Sequence, residues 1–219
     1  MTLKPHKTTT RSASLLLAIF ASLFYRPIYT QALGNIAVLP SLADFSKSVQ
    51  NGNAQELRGV YVDGIFALPV VQQPSGTPAF VSSLEGELTQ FGMPASYGNI
   101  GLLAHNHLSG RLFSDLAGGQ QVRLIYGDGK IETFVITEIL RYQALQPASP
   151  YSSFRSLDQN DETLTADQLF KRVYLGDRHV TFQTCIQAYG NSSWGRLFII
   201  AMPKSDYTSL TWPRLENNQ

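Results

Sequence analysis

From Val60 onward, apolar and polar side chains alternate over short stretches broken by glycine and proline. "GVYVDG" and "IFALPVV" are β-branched and aromatic runs of strand length. "QQPSGTP" is a turn cluster, after which "AFVSS" resumes a strand. "YGNIGLLAHNH" starts with turn residues and reads as a buried strand ending in polar positions. The clearest unit is "QQVRLIYGDGKIETFVITEIL": Val122, Leu124 and Tyr126 alternate with polar residues, "GDGK" turns tightly, and "IETFVITEI" alternates again. That pattern predicts a β-hairpin. "VTFQTC" reads as a strand ending at Cys185, "IQAYGNSSWG" as a loop, and "RLFIIAMP" as a terminal strand.

Helical spacing is scarce. "SLEGELTQF" fits one or two helical turns weakened by Gly86, and Leu112, Phe113 and Leu116 share a helical face stopped by Gly118–Gly119. "TADQLFKRVY" reads as a short helix with Thr165 at its N-cap. Between Arg141 and Arg178, "QPASPYSSF" is a loop. Many short strands with few helices predict a mainly β fold, closed or nearly closed into a barrel.

The N-terminus has a different texture. Lys4, Lys7 and Arg11 precede "SASLLLAIFASLFY", an uncharged stretch from Ser12 to Tyr25. Its length suits the apolar region of a signal peptide and is short of the roughly 20 residues of a membrane span. Thr30-Gln31-Ala32 offers small residues where a signal peptidase reads. A cleaved signal and a retained membrane anchor are both open, and either exports the remainder of the chain. The expected organisation is a signal peptide or anchor over residues 1–32, a linker over 33–58 containing the polar "KSVQNGNAQE", a β-barrel domain over 59–203 and a polar tail over 204–219.

Composition narrows the function. Charged residues are 15% of the 219 and hydrophobic ones 43%, with a net charge of +1. Such a chain folds into a core, and nothing in its charge points to nucleic acid. It has a single cysteine, Cys185. Exported proteins usually carry cysteines in pairs, so a lone thiol is either buried or used.

Four histidines occur: His6 in the N-terminal segment, His105, His107 and His179. His105 and His107 lie two apart at a strand end, so both rings fall on one face. Zinc wants three or four ligands, and neither "HExxH" nor "CxxC" is present. The letters "HNH" lack the other parts of the nuclease motif of that name. Cysteine–histidine catalysis asks for less. A free thiol is mostly protonated at neutral pH, so a nearby histidine or cation must favour thiolate, and a donor must meet the oxyanion that forms. Cys185, His105 and Arg196 stand at the ends or starts of three strands. On its own, Arg196 reads as an ordinary surface arginine paired with a carboxylate.

The order "LLAHNH", "LFSDL", the hairpin, "TFQTC", a polar loop and "GRLFIIA" resembles the sortase family of exported cysteine transpeptidases. The family's cysteine strand usually reads Thr-Leu-x-Thr-Cys; here Thr181, Thr184 and Cys185 match and Phe182 replaces the leucine. Its arginine opens an apolar strand about a dozen residues later, as Arg196 does. Its histidine is normally preceded by Ala-Gly or a similar pair, and here Leu103-Ala104 precede His105. The resemblance covers about Val60 to Met202 and implies a closed sortase-like β-barrel with a few short helices.

It also implies a chemistry. Cys185 is the nucleophile, His105 the general acid and base, with His107 the alternative histidine, and Arg196 the oxyanion or substrate donor. Thr184 and His107 are candidate substrate-binding residues. The implied partners are a peptide sorting signal in exported proteins and an amine acceptor, such as a cell-wall stem peptide or a pilin lysine. The implied place is the outer face of the membrane or the exterior. No cofactor is implied, calcium being an ion that some relatives bind. The long segment between Arg141 and Arg178 corresponds to a wall of the substrate groove. The rival reading is a non-catalytic exported β-domain that binds a ligand and buries Cys185. A papain-like peptidase is disfavoured, because there the cysteine precedes the histidine and opens a helix.

Overall fold

The computed structural model describes residues 39–158 and 162–211, with side chains to residue 207; the expected signal or anchor lies outside the described residues. Among the described residues no helix is long and apolar enough to cross a membrane.

Strands β1 (Leu57–Val62) and β2 (Phe66–Gln72) form an antiparallel hairpin, as their alternation predicts. β3 (Leu88–Phe91) lies parallel to β2, and β4 (Ile100–Leu103) antiparallel to β3. The predicted hairpin is β5 (Gln121–Tyr126) with β6 (Ile131–Ala144), and β5 also pairs with β1. Short β7 (Phe154–Ser156) and β8 (Thr163–Leu164) extend from β6. β9 (Val180–Ala188) runs parallel to β4 and antiparallel to β10 (Asn191–Pro203). The order is β10-β9-β4-β3-β2-β1-β5-β6-β7-β8, and β10 pairs back onto β6. Eight strands therefore close into a barrel, with β7 and β8 hanging from its seam. Closure removes the open sheet edges that would otherwise template aggregation.

Strand alternation sorts the side chains into two layers. Val60, Val62, Leu102, Leu124, Phe134, Phe182 and Ile199 fill the barrel and are essentially sealed. A second cluster forms outside the barrel: Phe198 and Ile200 are the opposite parity of β10, and on β6 a register shift beyond Ile136 turns Leu140 and Tyr142 outward. Helix α3 (Ala166–Tyr174) covers it with Leu169, Val173 and Tyr174. A reciprocal capping box starts α3: Thr165 accepts from the Gln168 N–H, and Gln168 accepts from the Thr165 N–H.

Several elements depart from the sequence pattern. Within the stretch read as linker, α1 (Leu42–Val49) packs Phe45 and Val49 against Tyr61 and Ile125. Its Ser41 cap and amphipathic spacing are short enough to pass for polar linker texture. "AFVSS" is not a strand: Gln73 Nε2 donates to the carbonyls of Pro78 and Phe80 and holds a loop instead. "SLEGELTQF" yields β3 after a turn at Gly86, and α2 (Gly92–Ala95) follows it. Ser109–Asp115 forms a 3-10 helix where the spacing predicts a helical face. In the polar tail, α4 spans Lys204–Thr211.

The largest difference is at the cysteine. β9 does not end at Cys185 but runs on to Ala188, and β10 starts at Asn191. Tyr189 (φ 50°) and Gly190 (φ 76°) make the two-residue turn between them. Two successive positive φ values suit the right-handed twist of a hairpin, so the "loop" is a hairpin tip.

Candidate active site

The register of three strands brings the candidates together. Leu102 and Leu103 of β4 partner Phe182 and Gln183 of β9. The chains stay joined beyond the strand end: the Ala104 N–H donates to Gln183 O (3.3 Å), and Thr184 Oγ1 donates to Ala104 O (2.9 Å). The next residues are His105 and Cys185. On the other side, Cys185 and Arg196 are Cα partners across β9 and β10. Residues directly opposite in an antiparallel pair share a face, with Cβ atoms about 5 Å apart. Histidine, cysteine and arginine thus follow in a row, His105 two residues past the end of β4, Cys185 on β9 and Arg196 on β10, with the cysteine in the middle. Cys185 is half-buried and unpaired.

A bulge decides which residue faces the thiol. Near the turn, Ala188 partners Asn191; from Gly195 onward the register has shifted, with Ile186 opposite Gly195. Continued without the shift, the first register would set Cys185 opposite Trp194. The extra residues of β10 deliver Arg196 instead, as bulges do when they re-aim a side chain. The bulge carbonyls also hold the guanidinium: Arg196 Nη1 donates to Ser193 O (3.1 Å) and Gly195 O (2.8 Å). Its charge lies 5.9 Å from the centre of the Phe154 ring. Among the described residues no carboxylate pairs with it.

The histidine is fixed through its backbone. His105 O accepts from the N–H groups of Leu108 and Gly110, both at 3.0 Å, which curls the chain into the 3-10 helix. Gly110 permits this approach: a Cβ there would collide with Thr184 Oγ1 and lie 2.7 Å from the carbonyls of Ala104 and His105. The His105 and His107 rings stack with centroids 5.4 Å apart. His107 is the exposed member and His105 the half-buried one. Thr184 points the other way: it is buried in the barrel and serves Ala104 O, so it positions the two strands rather than facing a substrate. Among the described residues no three metal-ligating side chains gather.

A cleft of about 480 Å³ runs from Arg196 along the outside of the barrel. Leu103, Gln183 and Phe198 form its floor. One wall comes from the long segment after β6, through Pro150, Phe154 and the Leu169–Phe170 face of α3. The opposite wall includes Pro78, Ala79 and Val81 of the loop that replaces the expected strand. The site therefore lies on the barrel's outer flank near the strand ends, and not in its mouth.

Three supports carry little or no signal in the sequence. Asn106 Nδ2 donates to Ser192 O (3.0 Å), tying the histidine turn to the hairpin tip. Gly110 acts only through its close approach. Gln183 faces the cleft because it is two residues from Cys185 on one strand; that period-2 spacing is the one available signal.

No family model and no curated protein matches the chain. Solved structures that match include sortases. Sortase A from Corynebacterium diphtheriae matches with 14% identity over 67% of this chain and 60% of that one, at a TM-score of 0.45. Sortase C1 from Streptococcus suis matches at 14% over 74% and 76%, TM-score 0.45. A Clostridium perfringens sortase D5 transpeptidase matches at 15% over 75% and 89%, TM-score 0.42. These are distant resemblances of fold and carry no argument about chemistry, which rests on the residues of the site.

Proposed function

We propose that this chain is an exported, sortase-like cysteine transpeptidase. The observation that carries the reading is the row of His105 just past β4, Cys185 on β9 and Arg196 on β10, at the end of a largely apolar cleft of about 480 Å³. The Cys185 thiolate attacks a peptide carbonyl of a sorting signal. The carbonyl π electrons move to oxygen, and Arg196 donates hydrogen bonds to that oxyanion. Collapse of the adduct breaks the C–N bond, and His105 gives its proton to the leaving amine. The product is a thioester on Cys185. An incoming amine, from a wall stem peptide or a pilin lysine, then attacks; His105 accepts its proton and the thiolate leaves. Water in place of the amine gives hydrolysis. Thr184 and Gly110 hold the nucleophile strand against the histidine turn, and His107 supports the His105 ring. Export through residues 1–32 sets this chemistry outside the membrane.

The test is direct. Incubation of the protein with a pool of pentapeptides should add one acyl group to Cys185, read by intact and peptide mass spectrometry, and added amine should remove it. Cys185→Ala should show no adduct. A protein that stays unacylated, and whose Cys185 reacts with iodoacetamide only after denaturation, would make the non-catalytic binding domain the better reading.

A further inference from the structure

The cleft floor contains one polar side chain that the proposed reaction does not use. Gln183 shares the outer face of β9 with Cys185 and is flanked by its Cα partners Leu103 on β4 and Phe198 on β10. Around it the lining is apolar: Val81, Phe91, Leu169, Phe170. An amide in such a setting costs free energy unless it is hydrogen-bonded. Half of it is satisfied, since Tyr174 OH donates to Gln183 Oε1 at 2.5 Å. Tyr174 is itself sealed, at 2% exposure, between Phe91, Phe170 and Phe198. Burial pushes its phenol well above the usual range, so it stays a donor at any working pH. A hydroxyl that donates to Oε1 fixes which end of the amide is which. Nε2 is left with two N–H donors, no partner among the described residues, and the cleft in front of it.

We propose that Gln183, oriented by Tyr174, is a specificity-determining residue that selects peptides with an acceptor oxygen on the side chain two residues upstream of the scissile carbonyl. The spacing follows from geometry. Gln183 is two strand positions from Cys185, about 7 Å along β9. An extended peptide in the cleft advances by the same amount in two residues, and its side chains at that interval face the same way. The cleft lies on the Gln183 side of Cys185, so the acyl-donor peptide covers this position. The selected class is Asn, Gln, Asp or Glu there, over Leu or Val.

The inference rests on the transpeptidase reading, and one experiment separates the two. The full chain is acylated with a randomised pentapeptide pool, and the acyl groups captured on Cys185 are sequenced by mass spectrometry. Wild type should enrich acceptor side chains at the second upstream position roughly tenfold over apolar ones. Gln183→Leu should lose that enrichment. Tyr174→Phe, which removes only the hydroxyl, should weaken it with an unchanged circular dichroism spectrum; Gln183→Glu, which cannot donate, should reverse it toward donor side chains. Acylation of wild type without enrichment, or enrichment that survives Gln183→Leu, overturns the Gln183 proposal and leaves the transpeptidase standing. No acylation by any peptide overturns both.

Discussion

At the scale of residues, Arg196 and Gly110 give the sharpest tests. Arg196 presents a planar donor fork, with Nη1 already committed to Ser193 O and Gly195 O. Lysine keeps the charge but cannot satisfy both carbonyls and an oxyanion in one plane. Arg196→Lys should therefore lower the acylation rate about 100-fold, measured by single-turnover thioester formation, with little change in melting temperature. Gly110→Ala places a methyl against Thr184 Oγ1 and two carbonyls that hold the His105 turn. It should cost about 1–3 kcal/mol in urea unfolding and depress acylation, because the turn must move to relieve the clash.

At the scale of elements, the β9–β10 hairpin and α3 set the site. Deleting Ser192 and Ser193 should close the bulge into a regular ladder that still sets Arg196 opposite Cys185, but strips its guanidinium of the Ser193 carbonyl and the histidine turn of the Ser192 carbonyl. The expected result is a barrel with strand content retained in circular dichroism and slower Cys185 acylation; an unchanged rate would mean that the bulge carbonyls do not position the guanidinium or the histidine turn. For α3, Thr165→Ala removes the N-cap oxygen and one half of a capping box. About 1 kcal/mol of stability should go with it, and amide hydrogen exchange should rise in α3, a wall of the cleft, before the barrel strands.

For the whole molecule, a charge cluster ties the loop before β9 to the β5–β6 hairpin. Glu132 accepts from Arg178 (2.5 Å), Lys130 (2.8 Å) and Tyr126 OH (3.1 Å). Partial burial alone would raise the Glu132 carboxyl, but the hydrogen bonds from Lys130 and Arg178 together outweigh it and hold it below the ordinary value of 4.5. A depressed carboxylate contributes stability that is present above its unfolded value and lost as pH falls through the folded one. Stability should therefore fall below about pH 4.5 in the wild type. Glu132→Gln should be less stable by about 1 kcal/mol at pH 7, allowing for solvent at Arg178, and should lose less on acidification. Thermal melts from pH 7 to pH 3 check it.

Much of this fold is legible in the chain. Period-2 runs announce β1, β2, β5, β6 and the strand parts of β9 and β10, and Thr165 announces α3, because each signal is local: alternation and capping involve neighbours in sequence. A row of His105, Cys185 and Arg196 can be expected from strand ends alone. Local signals mislead where the deciding contact is distant. "AFVSS" has strand composition, yet Gln73 holds it as a cleft wall; "IQAYGNSSWG" has loop composition, yet Tyr189 and Gly190 fold it into a hairpin tip.

By itself, then, the sequence determined the strand alternation, the helix cap and the set of residues able to do thiol chemistry, since those depend on side-chain type and short spacing. Tertiary structure decided the rest: that β10 closes on β6, that a bulge sets Arg196 and not Trp194 opposite Cys185, that Thr184 turns inward, and that Gln183 meets Tyr174. Register and closure are set by pairings between strands far apart in the chain, whose energies no local window contains.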